Sequence, residues 1–347
     1  MIAKTNAALF IIIMMLFATA PLANHGLPRI AVYVTGDVPE NEKSALGTRM
    51  LSSLVNSGGY RGIERTAEFL AEIDREHIMQ RSGAIDGHVR STQVLIDAGA
   101  DVNATIRDNG STPLHMAVAG GGHIDAVKVL VNVPNVNLNA KAEGDATPLH
   151  VAIVAGQVEY VKALVSAGAD IKAQAVKGHT PLHTAVTCEN FEIVKCLVSG
   201  RADINAKSDA GYTPLHLAVI KGYDKIVEYL VSENTDVNTT DKERCGTPLH
   251  SAAANNIDVK IAQMLIKAGA KVNAKDFAGV TPLDLAIPNN NVKFAKALVE
   301  AGADVNSPDN KGSTPLGIAK IAAMGNPAFE AMVQCLSGDV SGFGGSR

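Results

Sequence analysis

The sequence predicts a mainly α fold: a solenoid of stacked helix pairs with β-hairpin-like fingers, preceded by a short β-α-β-α segment. Three observations predict it. Thr-Pro-Leu-His stands at Thr112–His115, Thr147–His150, Thr180–His183, Thr213–His216 and Thr247–His250, and returns altered as Thr281–Asp284 and Thr314–Gly317. Its starts lie 35, 33, 33, 34, 34 and 33 residues apart. Small-residue exits recur in phase with it, as in Ala167-Gly-Ala-Asp170, Ala268-Gly-Ala-Lys271 and Ala301-Gly-Ala-Asp304. A unit of this length cannot bury its own apolar face, so neighbouring units must stack.

Taken in order, the chain opens on Met1-Ile-Ala-Lys4, an apolar stretch Ala7–Ala18 and a Pro-containing Thr19–Asn24. The stretch is short for a spanning helix and fits a secretory signal peptide over residues 1–23, cut after Ala23. An uncleaved anchor is the alternative, and it is the protein's one expected link to a membrane. Residues 28–85 follow a different pattern. The β-branched run Arg29–Gly36 suits a buried strand, Lys43–Val55 an amphipathic helix, Tyr60–Arg65 a second strand and Thr66–Gln80 a charged helix. The solenoid occupies 87–337. Gly87–Asn103 matches only the back half of a unit, and residues 338–347 form a flexible Gly/Ser tail.

Gly211–Thr239 shows how one unit is built. The Thr213 hydroxyl is an N-cap, and Pro214 follows where a missing N–H costs nothing. Leu215, Leu217, Ala218 and Val219 make a short apolar helix, and Gly222 ends it. Asp224 is placed to cap a second helix, in which Ile226, Val227, Leu230 and Val231 recur at helical spacing. Asp236-Val237-Asn238 then leaves for an extended finger.

These motifs resemble the ankyrin-repeat family over about residues 87–337. The resemblance implies a binding scaffold whose protein partner, of unknown identity, touches the fingertips and the exposed side of the first helices, the concave face. Carried onto this chain, the candidates are Lys177, Asp209, Arg244 and Phe277 at fingertips, His179 and Tyr212 just before the motif, and Thr187 and Ile220 closing first helices. Tyr212, Ile220 and Phe277 stand out as anchor types. Residues 31–72 are similar to the opening of bacterial cell-envelope domains related to curli-secretion subunits and penicillin-binding-protein activators. That implies an alternative role in envelope assembly. Two strands and two helices are too few to close such a sheet, so the segment is expected to cap the half-repeat Gly87–Asn103, with a truncated relic of a fusion as the alternative.

Chemistry other than binding finds little support. A net charge of −4 gives no basic footprint for nucleic acid. The five motif histidines lie in different units, too far apart to ligate one zinc, and each is expected to bond backbone or Thr hydroxyl at its own helix start. No nucleophile elbow or phosphate loop is present, so the protein is expected to be no enzyme and to need no cofactor or metal. Cys196 and Cys335 read as small core residues, and Cys188 and Cys245 as surface thiols.

Overall fold

The computed structural model describes residues 12–14 and 31–33, helical positions 89, 92–93 and 96–97, residues 101–105 and 109–119, and the chain from 124 to 338. It divides into two compact units, Met1–Asp170 and Ile171–Arg347.

In the first unit, strands β1 (Ile12–Met14) and β2 (Ala31–Tyr33) pair antiparallel, with Ile13 opposite Val32. The strand expected within Arg29–Gly36 is thus present in part. The expected helices Lys43–Val55 and Thr66–Gln80, the strand Tyr60–Arg65 and most of the tail lie outside the described residues. The helical positions 89, 92–93 and 96–97 fall in the half-repeat. Two helix pairs follow: α1 (Pro113–Ala119) with α2 (Ile124–Val131), and α3 (Pro148–Val154) with α4 (Val158–Ser166). First helix packs on first helix and second on second. Leu114, Val127, Leu149, Ile153 and Leu164 are fully buried there.

The second unit repeats this arrangement through five pairs. First helices α5 (Pro181–Thr187), α7 (Pro214–Lys221), α9 (Pro248–Ala254), α11 (Pro282–Ala286) and α13 (Pro315–Gly325) pack in succession. Second helices α6 (Phe191–Ser199), α8 (Asp224–Ser232), α10 (Val259–Lys267), α12 (Val292–Glu300) and α14 (Glu330–Ser337) form the other row. The Leu of each motif is the central knob: Leu182, Leu215, Leu249 and Leu283 have no exposed surface. Each stabilises the stack by about 2 kcal/mol through burial.

The stack changes character at its last pair. Leu316 and Val333 are only half-buried, though their counterparts in earlier pairs are sealed. Gly317 replaces the motif His, and exposed Lys320 replaces the buried Val219, Ala253 and Ile287 of preceding pairs. Among the described residues no further unit covers this face, which suits these more polar and more open positions.

Several local expectations need correction. Asp224 does not cap α8; the cap position is Tyr223, without a side-chain bond, and Asp224 is the first helical residue. Its charge still suits the positive helix end, and it pairs with Lys260 at 3.3 Å. Cys196 and Cys335 are half-buried, because their slot lies on the flank of the apolar stripe, between core and solvent. Cys188 and Cys245 are exposed, as surface thiols should be. The fingers contain no assigned strands among the described residues. Each closes with isolated bonds, such as Ser208 N–H to Tyr212 O at 2.9 Å, which are too sparse for a ladder.

Candidate interaction surface

The motif threonine, proline and histidine build a joint that frames the surface. The Thr backbone N–H donates to the His Nδ1, at 3.1 Å for Thr112–His115 and 3.2 Å for Thr213–His216. A backbone N–H can only donate, so Nδ1 is the acceptor and the ring proton sits on Nε2. That proton reaches the following unit: His115 donates to Ala146 O at 3.1 Å, His183 to Tyr212 O at 2.9 Å, His216 to Gly246 O at 3.3 Å and His250 to Val280 O at 3.1 Å. The local bond is the one expected from sequence. The second, between units, is an addition.

Burial holds these imidazoles neutral. It lowers His115 and His250 below the ordinary histidine value and takes His183 and His216 to about 4, even though the carbonyl bonds pull the other way. Asp284 stands in the same place in α11. One carboxylate oxygen accepts from Thr281 N–H at 2.8 Å and Thr281 Oγ1–H at 2.7 Å; the other is buried without a partner. Burial raises its carboxyl above the usual range. Among the described residues, no three His, Cys, Asp or Glu side chains are grouped to hold a metal ion.

The fingertips are held by backbone bonds between neighbours. Asp209 N–H donates to Lys177 O at 3.0 Å, Lys242 N–H to Ala210 O at 2.8 Å, Phe277 N–H to Arg244 O at 2.9 Å and Asn310 N–H to Ala278 O at 3.0 Å. This approach demands glycine at Gly211, whose φ is +82° and whose missing Cβ would lie 2.6 Å from Lys242 N. Asp241 fixes one tip from below, accepting from the N–H groups of Glu243, Arg244 and Gly246.

The eight candidate contact residues separate by environment. Lys177, Asp209, Arg244, Phe277 and Thr187 are exposed; His179, Tyr212 and Ile220 are half-buried. Phe277 keeps 64 % of its surface in water, at the end of a rigid finger. Arg244 reaches back to the buried Asp276 carboxylate at 3.3 Å, so its guanidinium is oriented by the scaffold. Thr187 donates its hydroxyl to His183 O. His179 stacks on the His183 ring with centroids 5.4 Å apart, and burial together with nearby Lys177 lowers its basicity. Tyr212 leans on His216 at 5.7 Å and donates to Glu243 Oε2 at 3.3 Å. His179 and Tyr212 therefore pack the inter-unit joints as well as facing outward. Val176 at 56 % exposure and Ile321 and Met324 on α13, at 72 % and 87 %, were missed from sequence. The longer apolar run after Pro315 was the available signal.

This repeated joint and its fingers agree with what comparison finds. The family model for ankyrin repeats matches in three copies, over residues 82–175, 173–241 and 234–309. The chain belongs to the ankyrin-repeat family. Among solved structures it is similar to the ankyrin repeat domain of Bcl-3, described as a unique member of the IkappaB protein family. The two share 31% identity at a TM-score of 0.57, over 61% of this chain and 95% of that one. It is also similar to the human ASB11 ankyrin repeat domain, at 28% identity and a TM-score of 0.55, over 65% and 97% of the two chains. No curated protein matches. Ankyrin repeats generally mediate contacts between proteins. Among the described residues, no helix is long and apolar enough to cross a membrane.

Proposed function

We propose that this protein is an exported, non-catalytic scaffold that binds a protein partner through its fingertips and the outer side of its first helices. The observation that carries the reading is Phe277: a large aromatic ring, 64 % exposed, on a finger whose backbone is fixed on both sides. An apolar ring held in water by a rigid support loses little entropy when a partner covers it. Arg244 adjoins it, and Lys177 and Asp209 add charge further along the same row of tips, as an interface rim requires.

Export rests on the leader-like residues 1–23. Cleavage after Ala23 would remove β1 and leave β2 without its partner strand. Amino-terminal sequencing of the mature protein tests it, and a chain beginning at Asn24 is expected. The binding role is tested by affinity capture with mass spectrometry from the compartment that holds the protein. Phe277→Ala, at an exposed side chain, should lose the captured partner while melting within a few degrees of the parent. Undiminished capture by that variant contradicts the assignment of the surface.

A further inference from the structure

Four of the five first helices of the second unit carry an apolar stripe, interrupted at Ser251, that the fold covers only in part. Leu217, Ser251, Leu285 and Ile318 occupy one equivalent position in α7, α9, α11 and α13, and every one is half-buried. Three residues further along, Ile220, Ala254, Pro288 and Ile321 occupy a second, more exposed one. Seven of these eight side chains are apolar. Residues three apart on a helix share a face in α7, α9 and α13, and Pro288 follows in the turn that ends α11, so the two positions make one stripe across four adjacent helices.

The stripe is enlarged at its far end. α13 runs for 11 residues, whereas the other first helices of this unit run for 5 to 8. The additional turn places Met324 three residues beyond Ile321, and these are the two most exposed large apolar side chains among the described residues. The extra turn presents an apolar side to water and widens the stripe at α13.

Charge then narrows the occupant. On α5, α7, α9, α11 and α13, no carboxylate reaches the surface, the one acid there being the buried Asp284. Lys221 and Lys320 are exposed, one near each end of the stripe. Helices in contact lie roughly 8–10 Å apart, so four in succession span on the order of 30 Å, the length of about 20 helical residues. Two positions in width suits the apolar face of a single helix.

We propose that the stripe from Leu217 to Met324 receives an amphipathic helix of a partner protein, with acidic residues toward the ends of its apolar face. The inference rests on the binding role above and specifies its ligand. Lys221 and Lys320 supply orientation and selectivity, and Leu217, Ile220, Leu285, Ile318, Ile321 and Met324 supply most of the contact area.

The test uses the full chain and a fluorescein-labelled 20-residue helical peptide, with Leu at i, i+3, i+4 and i+7 spacing and Glu beside the apolar face. A Lys-for-Glu version and vesicles of phosphatidylcholine and phosphatidylglycerol complete the set. The Glu peptide should bind at least tenfold more tightly than the Lys peptide. Ile321→Asp with Met324→Asp should weaken binding at least tenfold, and Lys221→Glu with Lys320→Glu should reverse the preference. All four positions are exposed, and unchanged melting of the variants verifies folding. Equal binding of the two peptides, stronger association with vesicles than with peptide, or indifference to Ile321→Asp would overturn the proposal. If a native partner is captured through Phe277 but ignores the Ile321 and Met324 substitutions, the helix proposal fails and the binding role stands.

Discussion

At the scale of single residues, the motif histidine is a two-ended brace. One nitrogen takes the Thr N–H at its own helix start, and the other gives a proton to the next unit's carbonyl. His216→Ala would leave both Thr213 N–H and Gly246 O without that partner, at a cost of roughly 2–4 kcal/mol for two buried unpaired groups. Urea titration should show a lower midpoint. The same brace makes stability depend on pH. His183 and His216 are held to about 4 in the folded chain, below the ordinary 6.5. As pH falls from 6.5, the unfolded chain takes up protons first, so folding weakens progressively until about pH 4. Each ring contributes roughly 3 kcal/mol at neutral pH that is lost across that window. His216→Gln should flatten the decline between pH 7.5 and 4.5; an unaltered slope would mean that this ring is not kept neutral by burial. Asp284 acts with the opposite sign, because its folded carboxyl is raised. Its share of stability grows as pH falls, and Asp284→Asn should raise the melting temperature at pH 7.5 more than at pH 4.5. The Thr, Pro and His roles at each helix start were legible in the sequence, being local. The bond across units was not, because its acceptor lies about 30 residues away, in a position filled by Ala, Tyr, Gly or Val alike.

At the scale of elements, helix starts and breaks could be read directly and fingers only by outline. Gly222 ends α7 at φ +73°, as its place after the apolar run implied. Tyr223 and Asp224 exchanged roles because a cap is fixed by backbone angle, which a one-residue shift alters without changing composition. The fingers owe their form to close approach. Gly211→Ala would force a Cβ to 2.6 Å from Lys242 N in a left-handed conformation, and should cost about 1–3 kcal/mol. Differential scanning calorimetry would show it as a lower melting temperature. The candidate contacts were legible as positions, since the period alone places tips and helix ends. Their environments were not. Tyr212 and Arg244 look free in sequence, yet each is anchored to a residue of the following unit, Glu243 and Asp276. Exposed Ile321 and Met324 escaped because the apolar run after Pro315 reads as ordinary core in the sequence.

At the scale of the molecule, the apolar core of each unit is almost wholly aliphatic, with the Thr–His or Thr–Asp joint buried beside it, which fits a chain with 4% aromatics and no Trp. The central Leu in each pair is sealed by the next, so stability propagates between neighbours and ends where the knob is half-open at Leu316. The surface that remains is uneven in a useful way: fingertips of mixed charge, first helices apolar and free of exposed acid, second helices lined with Lys–Glu pairs such as Lys162–Glu159 and Lys195–Glu192. A binding role predicts that partners choose the first two surfaces over the third. The most direct measurement is hydrogen–deuterium exchange on the purified chain with and without its captured partner. Protection should be confined to the fingertips around Lys177, Asp209, Arg244 and Phe277 and to α7, α9, α11 and α13. Protection confined to α6, α8, α10 and α12 would contradict the account.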